Sequence, residues 1–498
     1  MPEPSSTTPA TVTPAPITAP SAASTPTPAV PPQASVPPAP KPIGQAGKVI
    51  RDAVHGLIRI DPGDDVLLHL INTPEFQRLR RVRQLGVSSM TYPGAEHSRF
   101  THSLGVMNFS QRILGSLLHR YRKETSATEL LQAHQQTVQA AALLHDVGHG
   151  PFSHMMERSF AVVASHEDKT SELIKSPESS ISAVLHRYSI DPQAVCDIID
   201  KVSEYRLLID IVSSQLDADR MDYILRDAIS TGVRYGTYDS EWLINSLCIG
   251  TEPKQPLPGK PVQWRLCLED RRGLYSAEQL IIARMHMSLQ VYFHKATRGW
   301  EAHLLCLFNL AAQLAKQGKL PTATPDIVRR FFAGEGTLSH TDFLLFDEAI
   351  LTHAFQVWSL STAPEHRRLA ELATGFLTRQ RSFLCQELKP LGFTRSTKLQ
   401  KQLLQHGQEG LDWLLDEINF NSYKDFGTVF KSPHKPGADE ISTSAILVSD
   451  GNLGAESFPV ESRSHLFAEM GRNPAESVIR LYYHREIADP VKKVLADF

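Results

Sequence analysis

The chain has 498 residues, of which 41% are hydrophobic and 21% charged, with a formal net charge of −3. That is the composition of a soluble globular protein of about two to four domains. The near balance of charge excludes a global attraction for nucleic acid or membrane, so any anion must be bound locally.

Residues 1–47 hold 14 of the 33 prolines, mixed with Ser, Thr and Ala, and no aromatic residue. Such a segment cannot bury enough apolar surface to offset its ordering entropy, and an extended, disordered tail is predicted. It lacks the basic and apolar regions of a signal peptide, and no apolar run in the chain reaches the ~20 residues of a membrane span. The five cysteines are scattered, without a CxxC pair. This argues against a disulfide framework or a thiolate zinc site, and fits buried thiols in a reducing, cytoplasmic compartment.

Ordered structure is expected from Lys48. The partly alternating KVIRDAVHGLIRID predicts a short hairpin. Helical spacing follows. Thr73 can cap a helix that has Pro74 at its first position, and Phe76, Leu79 and Val82 recur on one face of TPEFQRLRRVRQLG. Val106–Tyr121 and Glu129–Leu144 continue in the same style, and nearly every long segment from Asn72 to Leu247 reads as helix. Residues 248–268 carry two strand-like runs around a Pro/Gly loop. Helices resume at Ala277 and dominate to about Ile418. Beyond that, ISTSAILVS and SVIRLYYHREI are strand-like. The fold class expected is mostly α: a helical core with small β-hairpin elements and a mixed α/β C-terminal region.

The chemistry concentrates between residues 97 and 166, which hold eight of the 21 histidines. His145–Asp146 is the only adjacent His-Asp pair, placed where the apolar helical run AALL ends, just before Gly148. A lone dipeptide of this kind is expected by chance. Upstream stand Arg99 and His102, in HSRFTHSLGV; downstream stand Asp217, Asp219 and Asp227, in LDADRMDYILRD. Asp219, Tyr223 and Asp227 recur every four residues and so share a helix face. Two imidazoles and two carboxylates suit a divalent cation with positions left open for water and a phosphate oxygen. Mn, Mg, Fe, Zn and Ni all remain compatible. His97, His119 and His134 read as surface or capping residues.

His102, His145–Asp146 and Asp219 match the H…HD…D signature of the HD-domain phosphohydrolases. QRLRRVRQLG, PGAEHSRFTHSLGV, LLHDVGHGPFSH and DADRMDYILRDA resemble the deoxynucleoside triphosphate (dNTP) triphosphohydrolase branch of that family. The resemblance implies an HD phosphohydrolase domain over residues 48–310, followed by a C-terminal helical region over 311–498 that ends in short strands. It implies one divalent metal ion held by His102, His145, Asp146 and Asp219, and active-site histidines His149, His154 and His166. His166 would be the proton donor, oriented by Glu167. Arg99, Arg220, Tyr223, Arg284, Tyr292 and Lys295 would line the triphosphate and sugar. Gln84 and Asp227 would bond the 3′-OH, and Leu85 and Tyr292 would crowd C2′ against ribonucleotides. A dNTP substrate, an allosteric nucleotide and a homotetramer are further implications, with no requirement for nucleic acid or membrane.

Departures from the animal members are Arg220 for Lys, Glu157 for Asp, and Asn72 where a guanine-reading Asp accompanies Gln77 and Arg80. An amide offers one acceptor oxygen and cannot take both guanine donors as a carboxylate does, which puts guanine-nucleotide activation in doubt. The alternatives left open are an HD phosphohydrolase acting on a nucleoside monophosphate or cyclic dinucleotide, and a catalytically silent nucleotide-binding oligomer.

Overall fold

Lys48–Asp52 and Gly56–Ile60 pair antiparallel as the alternation predicts, with Ile58 and Ile60 buried and Leu57 and Arg59 exposed. The computed structural model describes residues 47–153, 155–156, 165–252, 263–334, 338–389, 393–419, 423, 429–431, 439–441, 445–472 and 477–498. The expectation for residues 1–46 lies outside them. Among the described residues the architecture is mostly helical, with several small sheets and a mixed α/β C-terminal region.

Thr73 caps as expected, its Oγ1 accepting from Phe76 N at 3.4 Å, but the helix it starts ends at Arg78. A continuous helix through TPEFQRLRRVRQLG does not form. Beyond a 3₁₀ turn the backbone extends, and Gln84 N donates to His97 O while Arg99 N donates to Val82 O. Glu348 takes the Arg83 N–H. These distant partners outweigh the local helical spacing.

The helices Arg99–Arg120 and Thr125–Leu144 pack side by side, and Ala218–Thr231 lies against the first of them. Residues Val138–Leu144 are all buried, so this helix end is clamped in the core. The strand-like runs at 248–268 become Leu247–Thr251 and Trp264–Glu269, antiparallel, in the middle of a five-stranded sheet. The other three strands, Leu447–Ser449, Ala455–Glu456 and Phe458–Pro459, come from the far end of the chain. Ile446, Leu447, Val448, Val460 and Phe467 thereby join the same hydrophobic core as the long helices.

A second core gathers Trp300, Phe308, Phe332, Phe355, Trp358 and Phe376 from the helices Lys295–Lys316, Asp326–Ala333, Glu348–Ser359 and Arg367–Leu377. The first of these helices passes through position 310. Phe152 enters this core from the loop after His149. Helical spacing was expected to continue to about Ile418, but Phe383–Leu388 and Trp413–Asn419 are strands. Both pair antiparallel with Ser477–His484, a partner some distance along the chain that local periodicity does not reveal. Cys196, Cys248, Cys267 and Cys306 are buried and Cys385 half-buried, none in a disulfide.

Candidate active site

Three helix ends meet at the site. His102 lies in the first turn of Arg99–Arg120, His145 caps the C-terminus of Thr125–Leu144, and Asp219 opens Ala218–Thr231. The last of these is started by Asp217, whose side chain accepts from Arg220 N at 2.7 Å and from Ser214 N at 2.6 Å. His102 Nε2 lies 3.1 Å from Asp219 Oδ1 and 3.7 Å from Asp146 Oδ2. His145 Nε2 lies 3.6 Å from Asp219 Oδ1 and 3.5 Å from Asp146 Oδ1.

The outward-facing ring nitrogens are committed elsewhere. His145 Nδ1 is 2.9 Å from the Ala142 carbonyl, one of the acceptors a helix C-terminus leaves open. His102 Nδ1 is 2.9 Å from Asp222 Oδ2. Both rings therefore donate from Nδ1 and turn Nε2 inward, the arrangement metal-binding histidines adopt. Among the described residues His145 Nε2 is buried without a hydrogen-bond partner, and donor atoms of His102, His145 and Asp219 all lie within 4.8 Å of one another. The set fits a divalent cation. Without one, burial opposes protonation of His102, yet the hydrogen bonds to Asp219 and Asp222 outweigh it and raise the imidazole to about 10. A cation would take the place of that proton.

Asp146 approaches both histidines, but each of its oxygens has another partner. Oδ2 accepts from Arg99 Nη1, and Oδ1 lies 3.3 Å from His149 Nε2. Burial alone would raise its carboxyl; the Arg99 guanidinium and the neighbouring imidazoles hold it well below the usual range. Arg99 is itself buried and also donates to Ser153 Oγ at 2.8 and 3.1 Å, so the structure ties it to the metal set.

Burial and the Arg99 charge push His149 well below the usual imidazole range, so it is neutral. The His166 ring stacks on it, 3.8 Å between centroids at 13°. Their meeting depends on Gly148. Gly148 N donates to Thr170 Oγ1 at 3.0 Å, and the helix His166–Lys175, capped by Ser165, packs directly on the glycine. Glu167 is exposed in that first turn. His154 and Glu157 lie outside the described residues.

Two turns beyond Asp219 a second polar group forms. Asp227 accepts from Tyr292 Oη at 2.7 Å through Oδ2, and its Oδ1 is 2.7 Å from His97 Nε2. His97 is thus no surface residue. The backbone pairing of Arg83 with Ser98 folds it inward against the helix. Tyr223, on the same helix face, meets Tyr292 edge-on at 6.2 Å between centroids. Gln84 Oε1 is buried without a partner among the described residues, and Leu85 beside it is half-buried. Tyr292 ends a π-helical turn, Ser288–Tyr292. Arg220 pairs with Asp217, and Arg284 is lowered from its ordinary value by burial and by the neighbouring Arg220 charge. Lys295 is exposed at a helix start, where its backbone carbonyl accepts from Tyr482 Oη.

Sequence reasoning missed Asp222, His55 and His97. Asp222 could have been found from its place one turn after Asp219 in DADRMDYILRD; for His55 no local signal exists. It also missed Arg78 and Glu348, which pin the active-site loop. Arg78 is buried and donates to the carbonyls of His149 and Phe346 at 2.8 and 2.9 Å. Glu348 Oε1 accepts from Phe152 N at 3.3 Å. Between them Phe152 and Ser153 are held in left-handed backbone, with φ 55° and 50°, a conformation that a surrounding framework must impose on such residues.

Residues 99–227 match the family model of the HD domain. The Bacillus subtilis protein YwfO is 37% identical over 334 residues, 67% of this chain and 70% of that one. Human deoxynucleoside triphosphate triphosphohydrolase SAMHD1 is 33% identical over 220 residues, 38% of this chain; the matched part spans 34% of that protein. A phosphohydrolase structure from Bacteroides thetaiotaomicron superposes with a TM-score of 0.64 at 27% identity, covering 88% of this chain and 100% of that chain.

Proposed function

This chain belongs to the HD-domain phosphohydrolase family and is a hydrolase of phosphoester bonds, and on that footing we propose that it cleaves a dNTP with water into deoxynucleoside and triphosphate. The observation that carries the reading is the pairing of two centres on one helix. Asp219 faces the His102–His145 set, and Asp227, eight positions on, is held between His97 and Tyr292. Eight residues of helix span about 12 Å, room for a nucleoside phosphate with its reacting end at one centre and its sugar at the other.

His102, His145, Asp219 and Asp146 would hold the divalent ion, whose chemistry is to acidify a bound water and polarise the phosphoryl group. Arg220 and Arg284 bring like charges together beside Tyr223 in a half-buried place, an arrangement that an anionic triphosphate would suit. Asp227, with one oxygen on Tyr292 and the other on His97, has lone pairs left for a 3′-OH, and Gln84 Oε1 supplies a second buried acceptor. Leu85 and Tyr292 would form the wall at C2′. His166, seated on the neutral His149, would give its proton to the leaving 5′ oxygen. The nearness of the protein to SAMHD1 over the HD region supports the substrate class. Oligomerisation and a cytoplasmic location belong to the same proposal.

The test is product identification with each dNTP in Mn²⁺ or Mg²⁺. Deoxynucleoside and inorganic triphosphate are expected, with loss of turnover on chelation and recovery on re-addition of the ion. Release of only diphosphate or monophosphate would overturn the substrate assignment.

A further inference from the structure

We propose that Asp222 is a positioning residue of the metal site, holding the His102 imidazole as its Nδ1–H tautomer so that the Nε2 lone pair faces the cation. The inference rests on His102, His145 and Asp219 being metal ligands, and it gives that set a support that sequence motifs do not mark.

Asp222 is fully buried, and each of its oxygens accepts twice. Oδ2 takes His102 Nδ1 at 2.9 Å and Arg226 Nε at 2.7 Å; Oδ1 takes His55 Nε2 at 2.7 Å and Arg226 Nη2 at 2.9 Å. The direction of these bonds is determined by chemistry. Asn108 Nδ2 lies 3.0 Å from His55 Nδ1 and can only donate, so His55 donates to Asp222 from Nε2. With three donor groups already around it, the carboxylate has only acceptor capacity to offer His102. The ring must therefore donate from Nδ1. The opposite tautomer would leave His102 Nδ1 as a buried acceptor facing a carboxylate, and would aim an N–H at Asp219 where a cation belongs.

The backbone is built around this carboxylate. Gly105 lies one turn after His102 on the same helix, and a Cβ there would fall 1.8 Å from Asp222 Oδ1 and 2.6 Å from Arg226 Nη2. The helix that carries the ligand thus leaves a side chain out where the supporting group enters. Arg226 compensates the buried charge and continues to Asp52 in the N-terminal hairpin at 2.9 Å. His145 needs no such carboxylate, because the Ala142 carbonyl orients it.

The experiment uses the full chain, stripped with chelator, with Mn²⁺ binding measured by titration and thermal unfolding recorded without metal. Asp222→Asn is expected to weaken Mn²⁺ binding roughly 10–100-fold, the cost usual for removing such a support. Asp210→Asn is the control: it breaks a comparable buried pair, with Arg265 at 2.6 Å, that contains no histidine. It should lose thermal stability and keep Mn²⁺ affinity within about twofold. Should Asp222→Asn fail to fold, Gly105→Ala decides, since its Cβ would displace the Asp222 carboxylate that meets His102; a loss of at least severalfold supports the proposal. Wild-type affinity in the folded Asp222→Asn protein, or in Gly105→Ala where that variant decides, overturns it, as does an equal loss in Asp210→Asn. A wild-type protein that binds no divalent ion would overturn the metal reading as well, so the two failures are distinguishable.

Discussion

Gly148→Ala should separate the placement of His166 from everything else in the site. A Cβ at this position would lie 2.3 Å from His166 O, 2.4 Å from Thr170 N and 2.6 Å from Thr170 Oγ1. Two of these are backbone atoms at the start of the helix His166–Lys175, so no side-chain rotation relieves them. Restoring ordinary contact requires the helix start to retreat by about 1 Å. Overpacking of this kind costs about 1–3 kcal/mol, and a 1 Å misplacement of a reacting group costs on the order of 10²-fold in rate. Gly150 provides the control, since a Cβ there meets nothing within 4 Å. Steady-state kinetics and denaturant unfolding of the two variants are the assays. Gly148→Ala is expected to lose kcat by about two orders of magnitude, with Mn²⁺ binding preserved, while Gly150→Ala resembles wild type. An unchanged kcat in Gly148→Ala would refute the argument that the seating of His166 on His149 serves turnover.

His97→Ala should raise KM for the substrate roughly tenfold with a smaller change in kcat, since it removes a bond of about 1.5–3 kcal/mol to the Asp227 carboxylate; an unaltered KM would contradict the sugar-site reading. His303 is buried, its Nε2 2.8 Å from the Leu372 carbonyl, and burial lowers it to about 4. The unfolded imidazole titrates near 6.5, so its contribution is fully present above that pH and falls away as pH drops toward 4, by about 3 kcal/mol in all. Thermal midpoints recorded between pH 7 and 4 should therefore decline, and His303→Gln should flatten that part of the decline. Guanine nucleotides should not be strictly required, because the Asn72 amide offers one acceptor oxygen where a carboxylate offers two, and Gln77 Oε1 already accepts from Arg80 Nε at 2.8 Å. Strong, GTP-specific activation in initial rates would count against this.

Much of the site was legible because its residues sit on helices with regular spacing. Asp219, Tyr223 and Asp227 share a face by arithmetic alone, and His145 at the end of an apolar run had to emerge where a buried helix stops. Arg99 shows the limit: its charge was visible, but not that it would be spent on Asp146 and Ser153. His97 was misjudged because its surroundings are made by an irregular segment, where Arg83 pairs with Ser98 and no period exists to read. The break of the Arg-rich segment at Arg78 has the same origin, since Glu348, 265 residues after Arg83, claims a backbone donor that a helix would have used.

The sequence by itself determined the helical core, the N-terminal hairpin and the ordered set of histidines and aspartates, because each depends on neighbours within a turn or two. Tertiary structure alone decided what surrounds that set. Asp222 and His55 are 167 residues apart, Arg78 and Phe346 are 268 apart, and the strands that complete the central sheet come from beyond residue 446. Hydrogen bonds to buried charges demand a particular donor at a particular angle, and the chain can bring that donor from anywhere. The pattern that marks a ligand is local; Asp222, which meets the His102 ring, and Arg99, which holds the Asp146 charge, come from far along the chain.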